Sequence, residues 1–364
     1  MNKSRIKIAI THGDINSVAY EVILKALEDN RILELCTPIV YGSAKIAAQY
    51  RRLLEMPNIP MNQIGSADEA RDGAISIINV VGEDVKANPG ENSPEAGAAA
   101  RAALEQAVTD LKAGKVDALV TAPINKNNIQ SPEFTFAGHT EYLEASLGDE
   151  GQKALMVLCS ENLRVALVTT HLPLAEIPSA LSREKILDHI RRFEHSLRRD
   201  FGVHSPRIAV LSLNPHAGDG GLLGSEETEI ISPAIADARA QRIMAFGPYS
   251  ADGFFGAGAH KNFDGVLAMY HDQGLAPFKT IAMDSGVNFT AGLNYVRTSP
   301  DHGTGFDIAG KNLADPESMR HAIYAAIDIV RSRAREDAAT ARPLKRQYYE
   351  KGPDNVVLDL TKDS

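Results

Sequence analysis

Short apolar runs alternate with longer amphipathic stretches along the chain. Ile6 to Ile10, Pro38 to Tyr41, Ala118 to Thr121, Lys153 to Cys159, Leu163 to Thr169, Arg207 to Leu213 and Val266 to Met269 are apolar or β-branched runs. Most are followed closely by Gly, Pro, Asn or His, which predicts buried strands. Pro94 to Ala113, Ser182 to Asp200 and Glu226 to Ala240 space their apolar residues as helices do, and Ser182 stands where it can cap the second. His189 and His195 lie on that helix among charged neighbours and are expected on its solvated face. The alternation predicts an α/β fold, with a largely parallel sheet covered by helices on both faces. The segment after Arg335 is polar and broken by proline, which predicts a surface or disordered extension. Its VVLDL run could add an edge strand.

Composition narrows the function classes. A chain of 364 residues with 44% hydrophobic content can bury a large core and exceeds the usual single-domain length, so two lobes are expected. A formal charge of -9 argues against nucleic acid or an anionic membrane as the main partner. No run is long and apolar enough for a membrane span, and MNKSRIKIAITHGD leads straight into a strand, which predicts a cytoplasmic protein. Cys36 and Cys159 sit beside apolar residues and suit buried free thiols.

Three histidines share one context. His171 in VALVTTHLPL, His216 in VLSLNPHAGDGG and His271 in VLAMYHDQGLAPFK each follow a buried-strand signature and enter a polar turn. Open α/β sheets build binding crevices at such strand ends. Any one such histidine could simply cap a loop; three that converge could hold a divalent transition metal. Lys279, Asn288 and Arg297 follow at intervals of nine in strand-like or turn contexts, an arrangement suited to phosphate or carboxylate. His139 and Thr140 in FAGHTEYL add an imidazole and a hydroxyl, and Thr140 could cap the helix that follows. No GxGxxG follows the first strand, so a Rossmann mode of dinucleotide binding has no support.

GHTEYL, TTHLPL, NPHAGDGG, AMYHDQGLAPFK and RTSPDHGTGFDIAGK, in this order along the chain, resemble the 4-hydroxythreonine-4-phosphate dehydrogenase family of vitamin B6 biosynthesis, and the similarity runs from about Ile6 to about Arg335. The resemblance implies the isocitrate/isopropylmalate dehydrogenase fold, two α/β/α lobes with the active site in the cleft, and a homodimer that shares its sites. The expected boundaries are 1–125 with 290–335 for the first lobe, 126–289 for the second and 336–364 for the extension. By resemblance His171, His216 and His271 are metal ligands, while His139, Thr140, Lys279, Asn288 and Arg297 contact substrate. DHGTGFDIAGK also resembles the adenosine-embracing segment of the wider β-decarboxylating dehydrogenases, making His302, Gly303 and Thr304 the cofactor candidates.

The implied cofactors are NAD or NADP and a divalent metal, zinc first, with cobalt, nickel, manganese or magnesium as alternatives. The implied reaction oxidises and decarboxylates 4-phosphooxy-L-threonine to 3-amino-2-oxopropyl phosphate, with Lys279 and Asp252 as further catalytic candidates. A paralogous dehydrogenase acting on a phosphorylated sugar acid such as 4-phospho-threonate, or on a diol carboxylate, shares these features. A catalytically silent descendant is the third reading, opposed by retention of the candidate residues. The chain departs from the family where GDPAGIGPE is usual: it has GDINSVAYE from Gly13 to Glu21. Loss of two inner glycines and both prolines implies a different path for Asn16 to Tyr20. GPYSADGFF likewise keeps Asp252 but places Gly253 where a threonine is common.

Overall fold

The computed structural model describes residues 5–136, 138–149 and 151–341. Five strands and three helices come first: β1 (Ile6–Thr11), α1 (Ala19–Leu27), β2 (Cys36–Gly42), α2 (Ala44–Leu53), β3 (Met61–Ile64), β4 (Ile75–Asn79), α3 (Pro94–Lys112) and β5 (Ala118–Thr121). The middle of the chain forms α4 (His139–Leu147), β6 (Leu155–Cys159), β7 (Arg164–Leu167), α5 (Ile177–Ala180), α6 (Arg183–Arg199), β8 (Arg207–Leu211), α7 (Ser232–Ala240) and β9 (Met244–Tyr249). It closes with α8 (Ala251–Gly256), β10 (Gly265–Ala268), α9 (His271–Ala282), β11 (Val287–Ala291), β12 (Val296–Pro300) and α10 (Glu317–Thr340).

All twelve strands join one sheet, in the order β3-β4-β2-β1-β5-β12-β11-β6-β7-β10-β8-β9. From β3 to β12 neighbours are parallel, and from β7 to β9 they are parallel again. Between these blocks β11 runs antiparallel to both β12 and β6, and β6 antiparallel to β7. Strands covered on both faces read as unbroken apolar runs, as in the fully buried β2 and β10. The serine caps also behave as expected: Ser93 accepts from the Ala96 amide ahead of α3, and Ser182 from that of Lys185 ahead of α6. Cys36 and Cys159 are buried and unpaired, and burial pushes both thiols up to about 12.

Several sequence expectations need correction. Strands β3, β4 and β9 were not expected, and β11 and β12 were expected only as strand-like or turn contexts around Asn288 and Arg297. Lys279 lies in the last turn of α9 rather than in a strand or turn, although Pro277 interrupts that helix. Thr140 does not cap α4, whose N-cap is Gly138. The stretch Glu226 to Ala240 opens with a π-turn at Glu227–Ile231 before α7. His189 is not a solvated residue: its Nδ1 lies 2.7 Å from the Lys185 carbonyl and burial holds its imidazole down at about 4, whereas His195 is exposed. α10 runs past Arg335 to Thr340, and the VVLDL run lies outside the described residues. Among the described residues no helix is long and apolar enough to cross a membrane.

Candidate active site

The site is built on one face of the sheet where the two parallel blocks meet. Side chains alternate across a strand, so Arg297 and Ser299 on β12 share a face. The register pairs Ser299 with Asn288 of β11, which brings Asn288 and Thr290 to that same face. Met156 of β6 pairs with Thr290, and Thr121 ends β5 alongside. Thr121, Met156, Asn288, Arg297 and Ser299 floor a cavity of about 300 Å³, a volume suited to a small metabolite.

Arg297 is 3% exposed. Its Nε and Nη2 donate to Thr121 Oγ1 at 3.0 and 2.6 Å, and its Nη1 donates to Thr290 Oγ1 at 3.2 Å. Among the described residues no carboxylate pairs with it. Burial lowers the guanidinium to about 9, opposed only by the charge of Glu141, so it remains a cation at neutral pH. An ion withdrawn from water without a counterion costs several kcal/mol, far more than two threonine hydroxyls return. A ligand anion is the group that offsets this.

A second sign of a missing ligand is the unsatisfied polar surface. His139 Nε2, Asn288 Oδ1, Asp301 Oδ2 and His302 Nε2 are buried without a partner, and all four residues line the cavity. Each such atom costs about 1–3 kcal/mol unless something bonds it. Lys279 also lines the cavity, its ammonium 3.2 Å from Asp301 Oδ1. Burial raises the Asp301 carboxyl, with Lys279 opposing the shift. Burial also holds His139 well below the usual imidazole range, helped by the charges of Arg297 and Lys126.

His171 follows β7, His271 opens α9 directly after β10, and His216 follows β8; these three strands are adjacent and parallel. The sequence-derived placement at strand carboxyl ends therefore holds. His171 and His271 both line the cavity, their ring centroids 5.9 Å apart. His271 Nδ1 lies 2.7 Å from Asp272 Oδ1, a carboxylate contact that turns Nε2 outward as the free donor. Partial burial, then the charge of Lys126, lowers His171, favouring the neutral imidazole a metal requires.

His216 is elsewhere. It is exposed and opens a run, His216 to Gly220, in which every φ is positive, and it does not line the cavity. Asp252 stands near it rather than in the cavity: its carboxyl is held low by the Ser250 hydroxyl, the Gly253 amide and, more weakly, the charge of His216. Among the described residues no group of three or more His, Cys, Asp or Glu is placed to hold a metal. Within the chain His171 and His271 share the cavity and fit a common ion, and His216 does not join them there. Of the cofactor candidates, His302 and Gly303 line the cavity, while Thr304 does not, its carbonyl accepting from the Val18 amide at 3.0 Å.

The family described as pyridoxal phosphate biosynthetic protein PdxA matches residues 34–326. The chain belongs to this family. A 4-hydroxythreonine-4-phosphate dehydrogenase of Bacteroides thetaiotaomicron is 54% identical over 360 residues, covering 99% of this chain and 98% of that protein. The crystal structure of 4-hydroxythreonine-4-phosphate dehydrogenase from Klebsiella pneumoniae superposes with a TM-score of 0.79 at 36% identity, covering 91% of this chain and 99% of that one. A terephthalate 1,2-cis-dihydrodioldehydrogenase from Burkholderia xenovorans LB400 follows at 0.60 and 26%, covering 89% and 98%.

In this PdxA-family chain the departing loop is filled by side chains. Gly13 has a φ of +64°, and a Cβ there would lie 2.3 Å from the Pro123 carbonyl oxygen, so glycine is required. Asp14 accepts from the Asn16 amide at 2.9 Å and from Asn128 Nδ2 at 2.7 Å. Asn16 Nδ2 donates to the Glu91 carbonyl, and its Oδ1 accepts from the Asn88 amide. The Tyr20 hydroxyl lies 2.9 Å from His12 Nδ1 and accepts from the Ser43 amide at 2.8 Å. Sequence reasoning missed Thr121, Lys126, Glu141, Asp301 and Ser299 in the cavity wall. Asp301 adjoins His302 in a quoted motif, and Lys126 follows a buried strand as the histidines do, so both carried a signal.

Proposed function

We propose that the chain is a metal-dependent, NAD- or NADP-linked dehydrogenase that oxidises and decarboxylates 4-phosphooxy-L-threonine to 3-amino-2-oxopropyl phosphate, a step toward pyridoxal 5'-phosphate. The observation that carries it is Arg297, a buried cation without a carboxylate partner, in a cavity that also presents two facing imidazoles. Arg297 takes an anionic end of the substrate, and the orphaned Nε2 of His139 and Oδ1 of Asn288 bond its polar edges. Lys279, 3.2 Å from Asp301 Oδ1, opposes the burial that raises that carboxyl. Asp301 Oδ2, buried and unpartnered, is the atom best placed to hold the proton that leaves the substrate hydroxyl. A bound divalent ion at His171 and His271 supplies Lewis acidity toward hydroxyl and ketone, and a bound dinucleotide beside His302 and Gly303 supplies the hydride acceptor. Zinc suits imidazole ligands best, with cobalt, nickel, manganese or magnesium as alternatives.

Two copies of the chain complete each site in this reading. The exposed His216 turn, with Asp252 beside it, enters the cleft of the other subunit and delivers the third imidazole. A second reading, a dehydrogenase for a phosphorylated sugar acid or a diol carboxylate, is favoured by the likeness to the Burkholderia structure and by the side-chain-filled loop from Gly13 to Glu21. Nicotinamide reduction with 4-phosphooxy-L-threonine, 4-phospho-threonate and a cis-diol carboxylate separates the two. The first reading expects the highest kcat/KM for phosphooxythreonine; a higher value for either competitor overturns it.

A further inference from the structure

The wall of the cavity holds a cation that the site as assigned leaves unused. Lys126 follows β5 on a loop pinned from both sides. Asn125 Oδ1 accepts from the amides of Asn127 and Asn128, and Asn128 Nδ2 donates to Asp14. On the far side helix α3 packs so closely that a Cβ on Gly97 would lie 2.0 Å from the Asn128 carbonyl oxygen. The backbone is fixed, while the Lys126 side chain lines the cavity. Among the described residues it makes no ion pair, whereas Lys279 is held by Asp301.

It lies beside Gly138, the N-cap of α4, where a Cβ would meet Lys126 Cε at 3.6 Å and Glu141 Oε2 at 3.5 Å, ordinary contact distances. His139, next in the chain, lines the same cavity and feels the charges of both Arg297 and Lys126. Its Nε2 is buried with no partner. The first turn of α4 adds its unpaired amides at the same place, a setting that favours anions. The charge balance points the same way. A phosphorylated amino acid brings about three negative charges against one ammonium near neutral pH, and among the described residues of the cavity wall Lys279 is paired with Asp301 while Arg297 has no carboxylate partner.

Resting on the dehydrogenase reading above, we propose that Lys126 is a substrate-binding residue, which with Arg297, His139 and the N-terminus of α4 forms the subsite for the phosphate group. Glu141, beside the same turn, limits its affinity and lets the product's phosphate leave.

The test is calorimetric titration of the full-length protein with inorganic phosphate, comparing wild type with Lys126→Met, Lys126→Arg and Glu141→Gln. Loss of one charged contact should weaken phosphate about tenfold or more in Lys126→Met. Lys126→Arg should restore most of the affinity, and Glu141→Gln should tighten binding. With phosphooxythreonine, Lys126→Met should raise KM by a similar factor and leave kcat nearly unchanged. Equal phosphate affinity in wild type and Lys126→Met, or no phosphate binding by wild type, overturns the assignment. If phosphooxythreonine is not oxidised at all while the phosphate contrast persists, the dehydrogenase reading falls and the anion subsite stands.

Discussion

The floor around Arg297 and the turn around His216 are opposite kinds of structure. The first is buried, fixed by the register of β12 against β11 and β5, and complete in its own hydrogen bonds apart from the ligand. The second is exposed, carries six consecutive positive-φ residues from His216 to Gly221, and does not bring its imidazole to this cavity. A backbone in that conformation costs free energy at each residue that is not glycine, here His216, Ala217 and Asp219. The difference teaches that the anion-binding half is preformed within one chain, whereas the His216 turn stands apart from it, as the proposed sharing of sites between two copies requires.

This contrast can be broken most sharply at the metal. His271→Ala should remove one of two imidazoles on the preformed side, lowering turnover by at least about a hundredfold, with bound metal falling in parallel by elemental analysis. Wild-type metal content in that variant would detach His271 from the ion. Next in size, Arg297→Lys should raise KM for the phosphorylated substrate about tenfold to a hundredfold, since about 1–3 kcal/mol is at stake in a charged hydrogen bond and lysine lacks the planar fork. An unchanged KM would place the anion elsewhere. The smallest effect is in pH. Burial lowers Arg297 from its ordinary value, but a guanidinium keeps its charge across the working range, so anion affinity should not be lost through this group on the alkaline side. His171 is lowered as well, so the acid limb of kcat/KM should fall below the ordinary imidazole value of about 6.5. An acid limb at or above that value would mean that neutral His171 is not required.

The same contrast explains what the sequence made legible. Strands β1, β2, β5 and β10 are buried on both faces, and continuous apolar runs announce them. β11 and β12 carry Asn288, Thr290, Arg297 and Ser299 on the cavity face, and those polar residues blurred the strands that position them. β3 is a half-exposed edge strand with a correspondingly weak pattern. His189 was misjudged because its charged neighbours Lys185 and Arg192, four residues before and three after it, share its face of the helix and cover the ring, the one through its carbonyl and the other through its guanidinium, rather than marking a solvated face. The histidine-bearing turns were legible as strand ends. Their directions were not, because a polar, glycine-rich turn can leave its strand either way.

The most direct test is to mix two inactive variants, His216→Ala and His271→Ala, so that subunits exchange. If the His216 turn serves the partner's cleft, each mixed dimer regains one cleft with all three imidazoles, while its other cleft lacks two. About a quarter of wild-type activity should then return, since half of the dimers at random exchange are mixed and each has one of two sites intact. No recovery, in mixtures shown to exchange subunits, would mean that His216 and His271 serve a cleft from the same chain and would contradict the account.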